Sequence, residues 1–275
     1  MNGRRRPLAV AVGSRVALLA VTFLLSLPLL YLVSISLRQN DDVLNGSWLP
    51  PGLYWENFSR AFDTIALDRM LANSWIVAIG ASLLTAVVAV PAAYFTARSR
   101  RHGARLATFL LAAYCAPPVV AMLPLFFLWR DLGLLNGVLG LVLINGFINV
   151  PVAVWLLDGF IRRVPVEVEE AAALDGLGTG RILLRIVVPL IAPGLVAAIL
   201  ICLFLTYNEF LFAVSFSQTT DSQTVTVGLS LFQGDRTVQY GQQAAASLIA
   251  IAPMYLLAVG AQRWLVSGLS AGAVK

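Results

Sequence analysis

Few side chains in this 275-residue chain could carry covalent chemistry, and where they stand argues against it. His102 is the single histidine and sits among Arg98, Arg100, Arg101 and Arg105. That setting reads as a solvated surface loop, a poor corner for a Ser-His-Asp triad or a zinc site. Lys275 is the single lysine, so no glycine-rich loop is followed by the lysine that a P-loop uses to reach the β- and γ-phosphates. Cys115 and Cys202 fall in two separate apolar stretches, where a free thiol behaves as a small hydrophobe, and no disulfide is expected. The chain is therefore expected to catalyse no covalent step and to hold no cofactor or metal. Two polar groups remain: the acids Glu167, Glu169, Glu170 and Asp175, and, against an apolar background, Asn145, Asn149, Tyr207, Asn208 and Glu209.

The elements that must position these residues are apolar. Hydrophobic side chains make up 59% of the sequence and charged ones 12%, about half the ~25% charged share of an ordinary soluble domain. The six longest stretches without Asp, Glu, Lys or Arg are Val16–Leu37, Met70–Ala97, Leu106–Trp129, Leu132–Leu157, Ile186–Asn208 and Thr237–Gln262. Each exceeds the ~20 residues with which a helix crosses a bilayer. In hydrocarbon the backbone must satisfy its own hydrogen bonds, and the alternating ~10-residue segments of a barrel are missing. The expected fold is all-α with six membrane-spanning helices, too little polar chain being left for a separate soluble domain.

The net charge of +5 is informative only through its placement, and suggests no nucleic-acid partner. Arg4, Arg5, Arg6, Arg15, Arg98, Arg100, Arg101, Arg105, Arg162, Arg163, Arg181, Arg185, Arg263 and Lys275 fall on the side of the N-terminus. Arg38, Arg60, Arg69, Arg130 and Arg236 fall on the other, so the positive-inside rule puts both termini in the cytoplasm. Trp48, Trp55, Trp75 and Trp129 then lie near the outer interface, and Trp155 and Trp264 near the inner one. Arg4–Arg6 and the long apolar run behind them read as an uncleaved first span. Trp55, Phe58, Phe62 and Ile65 are spaced as one face of a short amphipathic helix on the outer membrane surface. The expected organisation is residues 1–69 as N-terminus, first span and outer loop, 70–266 as a core of the five remaining spans, and 267–275 as a cytoplasmic tail.

The longest inner connection, about residues 158–189, contains the acids that break the basic pattern. Pro165 suits the first turn of a helix, the glutamates behind it complement the positive helix end, and Asp175-Gly176 suits a left-handed stop. Thr179 is placed to cap a second helix running through Arg181 and Arg185 toward Pro189. Ala171, Ala172 and Ala173 give a low-relief surface, and Leu174 and Leu177 follow Glu170 at helical spacing, so one carboxylate would stand beside an apolar knob. A partner protein could dock there; an amphipathic helix resting on the membrane is the plainer alternative.

Glu170-Ala171-Ala172, three residues, Gly176, nine residues, Ile186-Val187-Val188-Pro189 resembles the EAA signature of permease subunits of ATP-binding-cassette importers, with Val188 where leucine is usual. Leu71-Ala72-Asn73-Ser74, Val154–Phe160 and the end from Ala261 onward are similar to carbohydrate permeases of the maltose type, and the likeness covers roughly residues 48–275. The resemblance implies the type I importer (MetI-like) fold. It makes Glu170, Ala171, Ala172, Leu174, Asp175, Gly176 and Leu177 a coupling helix docked in an ATPase subunit. It also implies a second permease, two ATPase copies that bind ATP and magnesium, and an extracytoplasmic sugar-binding protein. The solute would be a di- or oligosaccharide, with trehalose or maltose as the narrower expectation; other solutes and an ion-coupled secondary transporter are the alternatives.

Tyr207-Asn208-Glu209-Phe210 resembles the Trp-Asn-Glu-Phe box of sugar permeases with tyrosine in place of tryptophan. Glu209 adjoins an apolar span, where a charge costs about 2.5–3.5 kcal/mol at the bilayer centre, so it should face protein or a watery path. Sugar contact, inter-subunit hydrogen bonding and a place near the outer interface all suit it. Asn145 and Asn149, four residues apart, could line the same path or pair with a neighbouring helix. Pro117-Pro118, Pro124, Pro151, Pro193 and Pro253 each remove a backbone donor and are expected to kink or break spans three to six.

Overall fold

In the computed structural model of the chain, residues 8–46, 49–99, 101–233 and 238–273 are described, and they are helical wherever regular, with no strand among them. In chain order the helices are α1 (Leu8–Ser36), α2 (Asn40–Leu44), α3 (Glu56–Thr64), α4 (Leu67–Arg98), α5 (His102–Cys115), α6 (Pro118–Asp131), α7 (Val138–Ile148) and α8 (Val150–Ile161). After these come α9 (Val166–Leu174), α10 (Thr179–Ile182), α11 (Val188–Leu190), α12 (Ala192–Tyr207), α13 (Leu211–Phe216), α14 (Val225–Ser230) and α15 (Tyr240–Ala273), with a π-helical turn at Leu183–Val187. Arg4, Arg5, Arg6, Trp48, Arg100, Arg236 and Lys275 lie outside the described residues, as do the side chains of Arg263 and of the tail from Leu265 on.

Helices α1, α4 and α15 are each long and apolar enough to cross a membrane, and three bent pairs bring the count to six when each is taken as one span. The pair α5/α6 bends by 92°, α7/α8 by 45°, and the α10–α11 segment meets α12 at 83°. The breaks stand at Ala116-Pro117, at Asn149 two residues before Pro151, and at Ile191 two residues before Pro193, where missing donors and ring clashes end a helix. Pro124 and Pro253 differ from expectation: both lie inside unbroken helices, where a lost donor is tolerated within a membrane.

Contacts divide the chain into two units. One holds the residues up to Ile65 together with Leu231–Ile249. Its segment after α1 is tied by amides: Asn57 Nδ2 donates to the carbonyls of Ser36 (3.0 Å) and Arg38 (2.7 Å), and Asn40 Nδ2 to that of Val238 (2.9 Å). The helix α3 is amphipathic, but its buried residues are Asn57 and Ala61, and the predicted face is split: Ile65 just beyond it is buried whereas Trp55 and Phe62 are exposed. Within α1, the most apolar stretch of Ser14–Ser36 has nothing buried by its own chain, which fits a surface covered by lipid or another subunit.

The other unit, Ala66–Ser230 with Ala250 onward, is built around α4, which touches α5, α7, α8, α12 and α14. Ala78, Ala81, Ala89 and Ala93 are fully buried on α4, and such small residues let helix backbones approach closely. Thr85 Oγ1 bridges the carbonyls of Ala81 and Gly146, both at 2.8 Å. A second apolar cluster gathers Val77, Leu141, Ile144, Phe212 and Phe216 around Trp129. Trp129 departs from the expected interfacial belt: it is buried and its indole N–H donates to the Gly140 carbonyl at 3.0 Å. His102 also departs from expectation, since it starts α5 instead of lying in a loop.

Candidate functional site

The acidic loop folds around α9. Pro165 precedes its first residue with extended backbone (φ −59°, ψ 133°), and Glu167 and Glu169 occupy the first turn, where carboxylates complement the helix dipole. The helix ends on Gly176, whose φ of +85° is left-handed and strains any residue with a Cβ. Gly176 N–H donates to Ala173 O (3.0 Å) and Leu177 N–H to Ala172 O (3.1 Å), the paired bonds of a Schellman stop.

The stop sorts the loop residues. Glu170, Ala171, Ala173, Leu174, Asp175 and Gly176 are exposed, and Leu174 is 90% exposed, an isolated apolar knob one turn beyond Glu170. Ala172 and Leu177 do not belong to that face: Ala172 is buried, and the left-handed turn sends Leu177 back against the apolar cluster that includes Ile161, Ile182 and Val187. Thr179 is the first residue of α10 and caps nothing; Gly178 holds the cap position and no side chain bonds there.

Sequence reasoning missed the inward half of the loop. Glu169, next to the exposed Glu170, is buried, and its carboxylate receives Arg98 Nη2 at 2.6 Å, Arg98 Nε at 3.0 Å and the Tyr94 hydroxyl at 2.7 Å. Nearby, Asp158 accepts from Arg162 Nε (2.6 Å) and the Thr96 hydroxyl (2.9 Å). The hydrogen bond that Arg162 donates to Asp158 raises the pKa of its guanidinium above the ordinary value against the opposing effect of burial, and the carboxylate charge adds to the rise. The Asp158-Gly159-Phe160 segment thus ties the end of α8 to α4.

The polar residues of the spans do not converge. Asn145 Nδ2 donates to Leu141 O within its own helix (3.0 Å), whereas Asn149 Nδ2 pairs with Thr206 Oγ1 of α12 (2.9 Å). The Tyr207 hydroxyl donates to the Ala250 carbonyl (2.9 Å) while its ring lies 5.5 Å from that of Trp75. Asn208 is exposed and donates to Phe204 O. Glu209 is half-buried, and its two oxygens accept the backbone N–H groups of Phe212 (2.9 Å) and Ala213 (3.1 Å), so it closes the start of α13. A cavity of about 650 Å³ occupies the elbow of the bent third span, between Tyr114, Pro117, Trp129, Phe147, Asn149 and Leu205. Asn149 is the one residue of the sequence-derived path set on its wall. Asn73 and Ser74, part of the resemblance to carbohydrate permeases, pin the segment before α14: Asn73 Nδ2 donates to the carbonyls of Asp221 (3.1 Å) and Gln223 (3.0 Å), and Ser74 Oγ accepts from Val225 N (2.8 Å).

Residues 86–270 match the model of the family described as binding-protein-dependent transport system inner membrane component. Among similar proteins, the melibiose/raffinose/stachyose import permease protein MelC of Bacillus subtilis is 33% identical over 252 residues, covering 90% of this chain and 91% of that protein. The trehalose transport system permease protein SugB of Mycobacterium tuberculosis is 33% identical over 258 residues, covering 90% and 92%. A bacterial ABC transporter that imports the acidic polysaccharide alginate has a chain of the same fold, at a TM-score of 0.77 and 21% identity, covering 96% of this chain and 99% of that one. With the matched segment holding α9, its Schellman stop and four of the six spans, the chain belongs to the binding-protein-dependent transport system inner membrane components and is a multi-pass permease subunit of an ABC importer.

Proposed function

We propose that this chain forms one half of the path by which a di- or oligosaccharide is imported, and that it receives the force of ATP hydrolysis through α9. Glu170, Ala171, Ala173, Leu174, Asp175 and Gly176 form the docking face, with Ala172 and Leu177 holding it from behind. The observation that carries this reading is the exposed Glu170–Leu174 row on a helix that a left-handed glycine terminates, inside the family-matched segment. A largely exposed leucine beside a carboxylate is stable in a complex when a groove covers it.

Partners in this reading are a second permease, two ATPase subunits that bind ATP and magnesium, and an extracytoplasmic sugar-binding protein. The chain itself hydrolyses nothing. Both termini and α9 face the cytoplasm, as the distribution of arginines supports. ATPase closure moves α9, and rigid-body rotation of the spans around the bent helices opens the path toward the loaded binding protein. The relatives' substrates, melibiose, raffinose, stachyose and trehalose, favour a di- or oligosaccharide, with trehalose or maltose as the first sugars to test. Asn149, on the wall of the elbow cavity, is the path residue best placed to meet a hydroxyl; Asn145, Tyr207, Asn208 and Glu209 shape the surrounding helices. Membership of this family sets aside an ion-coupled transporter.

Replacing Gly176 by Pro, or Glu170 and Gly176 together by Ala, is expected to abolish ATP-driven uptake in proteoliposomes while leaving membrane insertion intact. Unimpaired uptake in both variants would overturn the docking role. Which sugar stimulates ATP hydrolysis by the co-purified complex decides the substrate.

A further inference from the structure

Arg98 is the last residue of α4, and its guanidinium holds three other pieces of chain at once. Nη2 and Nε reach one oxygen of Glu169 on α9, and Nη2 also reaches the carbonyls of Ile161, at the end of α8, and Val164, in the turn that follows (3.0 and 2.9 Å). The second Glu169 oxygen is taken by Tyr94, one turn earlier on the same face of α4. The Arg98 and Glu169 side chains are only 18% and 8% exposed, and the segments they join contribute Ala93, Ile161, Val164 and Ala172 to one buried apolar cluster. A planar five-donor cation suits this arrangement, since its fork can meet a carboxylate while the same group satisfies carbonyls at the negative end of a helix. A nine-residue helix is too short to hold its place by its own hydrogen bonds. Among the described residues its anchors include Ala172, Leu177 and the Glu169 carboxylate, and of these the carboxylate, held by Arg98 and Tyr94, is the directional one.

We infer that Arg98, Glu169 and Tyr94 are positioning residues that make α9 and α4 move as one piece, so that a displacement of the docking helix is delivered to the span around which α5, α7, α8 and α12 are packed. This rests on the reading of α9 as the docking helix. The two adjacent glutamates then divide the work: Glu170 meets the ATPase and Glu169 ties the helix to the membrane body. Loss of the tie should leave the ATPase bound but let its stroke slip.

The test uses the full complex in proteoliposomes with its binding protein, and reads two quantities: ATPase subunit retained on purification, and sugar imported per ATP hydrolysed. Glu169→Ala is expected to retain the ATPase while the sugar imported per ATP falls about tenfold, within the usual span of coupling changes. Glu169→Gln, whose amide oxygen can still accept from Arg98, should fall less, and Tyr94→Phe least. A purely structural role would reduce assembled complex and so lower both rates together, leaving their ratio unchanged. If Glu169→Ala keeps the wild-type ratio, the tie is overturned. If Glu169→Ala fails to accumulate, unchanged ratios in both Glu169→Gln and Tyr94→Phe overturn it equally. Intact docking and uptake in the Glu170→Ala, Gly176→Ala protein would instead remove the docking reading and this inference with it.

Discussion

The turn around α9 and the polar residues of the spans use the same chemical groups in opposite ways. At the turn, side chains bridge elements far apart in sequence: Arg98 reaches Glu169, and Thr96 reaches Asp158. In the spans most polar groups are satisfied close by: Asn145 and Asn208 donate to carbonyls four residues back, and Glu209 closes the helix that follows it. The difference follows from the surroundings. Within hydrocarbon an unsatisfied polar group costs several kcal/mol, so partners within the same or the next helical turn are favoured. Around α9 a charged pair is buried against protein and tied at both ends, which pins that turn firmly to α4.

Four substitutions, in order of expected effect, and one control, Glu170→Ala, test this contrast. Arg98→Leu leaves Glu169 buried without its cation, which should cost about 3–5 kcal/mol, read as a marked drop in the thermal unfolding midpoint in detergent. Glu170→Ala in the same assay should change stability by less than about 0.5 kcal/mol, because that side chain is exposed. Next comes Gly103→Val, since a Cβ at Gly103 would stand 2.5 Å from the backbone oxygen of Thr96; pushing α5 off α4 should cost about 1–3 kcal/mol in the same melt. Gly176→Ala places a Cβ in a left-handed conformation and should cost about 1–2 kcal/mol locally, seen as faster hydrogen exchange at the Gly176 and Leu177 amides. Asn149→Ala, which removes the bond to Thr206, should cost only about 0.6 kcal/mol, the average for hydrogen bonds between membrane helices. If Asn149→Ala proved more damaging than Arg98→Leu, the contrast between a firmly pinned turn and a lightly pinned interior would be reversed.

Much of the fold was legible because its signals are short-range or additive. Charge-free runs locate spans, Pro165 and Gly176, eleven residues apart, frame α9, and the breaks at Pro117, Pro151 and Pro193 follow from a missing donor. The same proline signal failed at Pro124 and Pro253, where neighbouring turns carry the helix through. Legibility ended where a residue's role depends on what faces it. Glu169 and Glu170 are identical and adjacent, yet one is buried and one exposed, and the partner that separates them lies 71 residues away. Trp129 reads as an interfacial tryptophan from its position near a span end, but the Gly140 carbonyl and the Phe216 ring take it into the core. Leu177 shares a helical register with Glu170 only while the helix lasts, and Gly176 ends it.

By itself the sequence determined that the chain lives in a membrane, how many times it can cross, that it has no lysine with which to build a P-loop, and where an acidic helix would stand, since all of these depend on composition and spacing. Only the tertiary structure decided which carboxylate of the pair is tied to α4, which asparagine lines the elbow cavity, and that Glu209 closes a helix. Those outcomes depend on distances between helices packed face to face, and packing is a property of several segments at once that no single segment encodes.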